Sequence, residues 1–176
     1  MAYTSAQIVQ AVPTGINSAL VLISTTTIGT TVSTVAVTGA FSATYANYKI
    51  IVNGGSATVA ENFKMTLGAT TTGYYWAAVG NTFAAAATSD NLANGSFLLV
   101  GRNSANGNIA NIDILSPQLA ERTIFTSPTV LATTTGRLLS SGGFLDNATQ
   151  YTDFNLFPGS GTMTGGTIRV YGYLNS

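Results

Sequence analysis

Two pairs of carboxylates, Asp146 with Asp153 and Glu61 with Asp113, are the residues whose types best fit catalysis, since glycoside hydrolysis needs only two Asp or Glu side chains. Beyond them the inventory thins. The chain contains no His and no Cys, so a serine has no imidazole to act as its base and no thiolate nucleophile exists. Neither Lys49 nor Lys64 follows a serine at the Ser-x-x-Lys spacing. The usual nitrogen and sulfur ligands of zinc are missing. Asp90-Asn91, Asp146-Asn147 and Asn106-Gly107-Asn108 offer oxygens to calcium, yet without the spacing of an EF-hand loop. The Gly-rich piece GSGTMTGG lacks the lysine and following Ser or Thr of a phosphate loop. With six acids against six bases, each acid is expected to serve as a turn residue or as a partner to a base. No enzymatic activity, cofactor or metal is therefore expected.

A binding function has a better candidate. Gly73-Tyr74-Tyr75-Trp76 carries the only tryptophan, and aromatic faces with Asn, Gln and Asp nearby suit the stacking of sugar rings. Tyr75 and Trp76, with Arg102 and Asn106 of the segment 102–108, are the candidate carbohydrate contacts. The alternative is a core strand in which Tyr74 and Trp76 face one way and Tyr75 the other.

The elements that must carry these residues are strands. Apolar residues recur with period two in short runs that stop at Gly, Asn, Ser or Pro. Tyr48, Ile50 and Val52 alternate with Lys49 and Ile51 up to Asn53-Gly54-Gly55; Phe63, Met65 and Leu67 alternate with Lys64 and Thr66 up to Gly68. Further strands are expected at 74–79, 97–100, 109–115, 122–125, 137–139, 153–157 and 167–174. In 109–115, Ala110, Ile112 and Ile114 should face a core while Asn111 and Asp113 face out. Only 81–94, with its Ala run, admits a helical turn. Eight or nine short strands predict an all-β, two-sheet antiparallel sandwich, best matched by a jelly roll over 41–176.

Residues 1–40 read differently. From Ile16 to Val37 the chain is rich in Leu, Val, Ile and Thr with few turn signals, and Pro13 limits any short helix before it. The segment is either an extended arm that pairs with a neighbouring subunit or the first strands of the same sandwich, since strand addition uses one pattern in both cases. The apolar stretch at 16–23 is too short to span a bilayer, and no secretory signal precedes it. Synthesis in the cytoplasm without a membrane anchor is expected.

Charge is scarce throughout. Asp, Glu, Lys and Arg make up 7% of the chain and cancel to a net charge of zero, where an ordinary domain is about a quarter charged. A surface coated instead by Thr, Ser, Asn and Gly repels its copies weakly and suits dense packing. It does not suit duplex nucleic acid, which demands clustered Lys and Arg.

Two segments carry a resemblance. Gly39 to Gly55, with Phe41, Tyr45, Asn47 and Tyr48, and Gly165 to Ser176, with Gly166, Thr167, Ile168, Tyr171 and Gly172, resemble the opening and closing strands of jelly-roll domains in tailed-bacteriophage virion proteins. The resemblance implies a capsid decoration (cement) protein, or a fibre or spike domain, trimeric, with its closing strand near the subunit axis. The closing strand fits on physical grounds too: Ile168, Val170, Gly172 and Leu174 share one face, able to fill the core, while Arg169, Tyr171 and Tyr173 present interface-type residues on the other. The expected subunit interface comprises Ile16, Leu20, Leu22, Arg169, Tyr171 and Tyr173, with Arg169 paired to an acid or to carbonyls. The expected product is a homotrimer on the capsid surface of a virion, contacting the major capsid protein or other virion proteins, with no nucleic-acid or membrane partner. The alternative is a receptor-binding module that recognises host carbohydrate.

Overall fold

A computed structural model describes residues 19–174, and among these it is all-β with no helix. The strands are β1 (Leu20–Thr27), β2 (Val35–Val37), β3 (Asn47–Asn53), β4 (Ser56–Ala57), β5 (Glu61–Leu67), β6 (Tyr74–Thr82) and β7 (Ala87–Gly95). They continue as β8 (Leu98–Ser104), β9 (Gly107–Leu115), β10 (Thr123–Val130), β11 (Arg137–Leu145), β12 (Phe154–Pro158), β13 (Met163–Thr164) and β14 (Thr167–Tyr173). Twelve of them form one antiparallel sheet, and β4 with β13 forms a second, two-stranded one.

The large sheet forks at β9. Along one edge β9 pairs with β3 from Ala110 to Leu115; along the other, Gly107–Ala110 pairs with β8 and Asp113–Leu115 with β10. One branch therefore runs β1-β14-β3-β9 and on through β10-β11-β6-β7, and the other runs β2-β12-β5-β8. The second branch folds back, so that β8 packs on β10, β11 and β6 in a sandwich-like arrangement. Between them lies one core, in which Tyr48, Ile50, Phe63, Met65, Leu98, Ile112, Phe125, Phe154, Ile168 and Val170 are buried.

Period two explains these strands residue by residue. In β3, Tyr48, Ile50 and Val52 are buried while Lys49 and Ile51 are half-exposed; in β9, Ala110, Ile112 and Ile114 are buried and Asn111 and Asp113 lie outward. The fork is maintained by hydroxyls rather than by a ladder. All of β8 is buried. Where it has no β9 partner, Ser127 of β10 donates to the Val100 carbonyl and Ser141 of β11 to the Leu99 carbonyl at 2.7 Å. A buried carbonyl without a donor is costly, so the inward serines of β10 and β11 replace a missing strand. Pro128 falls on β10 where that strand has only β11 beside it, the one-sided setting that proline tolerates.

One expectation needs correction. No helical turn occupies 81–94: β6 and β7 form a hairpin, closed by Thr82 N donating to the Ala86 carbonyl at 2.9 Å. The Ala run is a turn with Ala85 at φ 65°, and β7 is polar and exposed because it is an edge strand held by β6. Of the two readings of 1–40, an arm or the first strands of the sandwich, the described part takes the second. β1 pairs with β14 and β2 with β12, so the Thr- and Val-rich stretch completes both branches of its own chain. Residues 1–18, including Ile16, lie outside the described residues.

Candidate functional surface and a charged cleft

The outward face of the long branch is one continuous surface, because paired residues in neighbouring strands point the same way. One row across it runs Leu22, Tyr171, Lys49, Asp113, Thr126, Gly142 and Ala77. A second runs Leu115, Ile124, Phe144 and Tyr75, and a third Val130, Leu138 and Asn81. Leu22, Val79, Ile124, Val130 and Leu138 are all exposed, Leu138 at 53% and Val79 at 63%. Over β10, β11 and β6 this face carries no charge at all. Phe144 stacks on Tyr75 with ring centroids 5.1 Å apart, and Arg122, ion-paired to Asp146 at 2.7 Å, lies over the Phe144 ring at 5.4 Å from its centroid.

Of the residues expected at a subunit interface, Leu20, Leu22, Arg169, Tyr171 and Tyr173 share this face. Leu20 is opposite Tyr173 and Leu22 opposite Tyr171; a bulge at Ile23 then brings Thr25 opposite Arg169. Lys49 grips both oxygens of Asp113 at 3.1 Å, and the Tyr173 hydroxyl reaches diagonally across β3 to donate to the same carboxylate. Burial first, and then that carboxylate, pushes the Tyr173 hydroxyl up to about 12. Arg169 is half-buried and belongs to neither of the two ion pairs among the described residues.

The four candidate carbohydrate contacts are not brought together. Trp76 is 5% exposed and points into the core beside Phe97, whereas Tyr75 lies on the outward face. Asn106 is exposed in the β8–β9 turn, where its amide donates to the Ala132 carbonyl at 2.8 Å. Arg102 lies elsewhere, in a cleft of about 310 Å³ bordered by β5, β7, β8 and β11. Sequence reasoning did not find this cleft, since Glu61, Asp90, Arg102 and Arg137 come from four separate strands and show no common spacing.

The carboxylates weighed for catalysis take up local partners. Asp146 holds Arg122, Asp153 accepts the Gly39 amide at 2.7 Å, and Asp113 holds Lys49. The two segments that carry the phage resemblance are adjacent: β3 and β14 pair from Asn53 and Thr167 to Tyr48 and Gly172. Their ends meet at opposed glycines, where a β-carbon on Gly55, itself at φ +69°, would fall 2.0 Å from the Gly165 carbonyl oxygen.

Comparison with protein-family models, with curated proteins and with solved structures finds no match.

Proposed function

We propose that this chain is a structural, self-associating protein of a virion, a capsid decoration protein of the tailed-bacteriophage kind, built on a jelly roll and assembled as a homotrimer. The observation that carries the reading is the outward face of β10, β11 and β6. Exposed Ile124, Val130, Leu138 and Val79 stand there among hydroxyls and small residues without a single charge. Contiguous exposed apolar surface marks an interaction site, and one free of charge meets a copy of itself without repulsion. A chain of net charge zero adds no long-range barrier to such contact.

Strand order supports the jelly roll. β1-β14-β3-β9 beside β2-β12-β5-β8 follows two interlocked Greek keys, with the β6–β7 and β10–β11 hairpins as insertions that widen one sheet. The adjacency of β3 and β14 agrees with the resemblance of their segments to opening and closing strands. Attachment to the capsid is assigned to residues 1–18, because 20–37 is committed to the chain's own sheet.

Co-sedimentation with capsids assembled without the protein tests this reading. The full chain should pellet with them, and a chain lacking residues 1–18 should remain folded and trimeric but stay in the supernatant. Equal pelleting of the truncated chain would refute the assignment of the anchor. Failure of the full chain to pellet would refute the decoration role.

A further inference from the structure

The cleft around Arg102 gathers four of the twelve charged side chains of the whole protein, Glu61, Asp90, Arg102 and Arg137. In a chain so poor in charge, this concentration calls for a physical cause. None of the four is ion-paired: the pairs among the described residues are Lys49 with Asp113 and Arg122 with Asp146.

Arg102 is the central problem. Its side chain is anchored where Nη1 donates to Asn62 Oδ1, and the residue is only 7% exposed. Its Nε is buried with no hydrogen-bond partner. Burial, and then the nearby Arg137, lower its pKa, while the charges of Glu61 and Asp90 act the other way. A buried guanidinium with an unsatisfied donor is expensive, which makes its surroundings a candidate functional site. Thr88 Oγ1, on the same lining, is a second buried polar atom without a partner.

The carboxylates do not supply the missing acceptor. Glu61 Oε2 accepts the Asn62 amide at 3.3 Å and Asp90 Oδ1 the Asn91 amide at 2.9 Å. Each has one oxygen occupied by backbone, and the other remains to accept from hydroxyls. Two guanidinium groups thus offer donors to an anion, while Glu61, Asp90 and Thr88 can meet groups that both donate and accept.

We infer that this cleft binds an acidic saccharide, one sugar ring whose carboxylate lies between Arg102 and Arg137 and whose hydroxyls meet Glu61, Asp90 and Thr88. A volume of about 310 Å³ is at the small end of ligand pockets, as a single ring requires. The inference does not rest on the assembly reading, because the cleft is formed within one chain.

Titration calorimetry of the full chain with D-glucuronate, D-glucose and acetate decides it. D-glucuronate should bind at roughly millimolar strength, with glucose and acetate each about tenfold weaker or worse. Arg137→Gln, on the half-buried rim, should weaken glucuronate about tenfold and leave the fold intact by circular dichroism. Arg102→Gln should abolish binding; if it unfolds the chain, Arg137→Gln and Thr88→Val still report on the cleft. Absence of glucuronate binding, or binding unaffected by Arg137→Gln, would overturn the site. Acetate binding as tight as glucuronate would overturn the saccharide and leave a bare carboxylate subsite. Oligomeric mass, measured on the same samples, keeps a failure here distinct from a failure of assembly.

Discussion

The ring of Tyr45 lies directly over Gly172, so close that a β-carbon on Gly172 would fall 2.4 Å from the ring's Cγ. The contact joins the loop before β3 to the last turn of β14, and Tyr45 in turn packs edge-on against Tyr48 at 6.0 Å. No side chain larger than hydrogen fits there without moving the ring. Gly172→Ala should therefore destabilise the fold by about 1–3 kcal/mol, the usual cost of overpacking. Urea denaturation checks it, and a double mutant with Tyr45→Ala should lose less than the two single changes summed.

The serines at the fork give a second prediction. Ser127→Ala and Ser141→Ala each leave a buried carbonyl of β8 without its donor, and each should cost about 1–3 kcal/mol. Ser140→Ala, one residue away on the exposed face, should stay within about 0.5 kcal/mol. Equal effects at Ser140 and Ser141 would show that the hydroxyl bonds do not hold the branches together.

Alkaline pH should unfold the protein through its tyrosines. Tyr74 is fully buried, and desolvation pushes its hydroxyl up to about 12 despite the bond it accepts from the Leu67 amide. A raised pKa means that the folded state holds the proton more tightly than the unfolded chain. Stability is thus intact below pH about 10 and declines as pH rises toward 12. Tyr74→Phe should flatten that decline in denaturation midpoints followed across this range, while lowering stability at neutral pH by loss of the hydroxyl's bonds.

Tyr173 tests the outward cluster separately. Its hydroxyl titrates near 12 because of burial and because it donates to the Asp113 carboxylate. Asp113→Asn removes the carboxylate's contribution and should move the Tyr173 titration down toward 10, read from tyrosinate absorbance against a Tyr173→Phe control. The Lys49–Asp113 pair is partly solvated, so the same change should cost only about 1 kcal/mol, less at high salt.

Much of the fold was legible because period two survives wherever a strand has one wet face. The alternations in 48–52, 63–67, 109–115 and 167–174 gave strands with the expected residues inward, except that Leu174 lies past the end of β14 and is exposed. The signal failed where that condition did not hold. β8 is buried on both faces and shows no alternation, so its extent past Val100 was invisible. β7 is polar on both faces and exists through pairing with β6, which propensity cannot register. The serines of β10 and β11 look like solvent-facing residues until the fork brings the β8 carbonyls to them. The Arg102 cleft was illegible for a topological reason: its charges meet only because two inserted hairpins fold back over β5 and β8.

Sedimentation equilibrium at micromolar concentration tests the self-association at the centre of this account most directly. A species of three times the 18.1 kDa chain mass is expected, persisting in high salt because few ion pairs hold it. Leu138→Lys or Ile124→Lys, each placing a charge on the uncharged face, should reduce that species to monomer without loss of β-sheet signal. A stable 18.1 kDa monomer of the unmodified chain would contradict it.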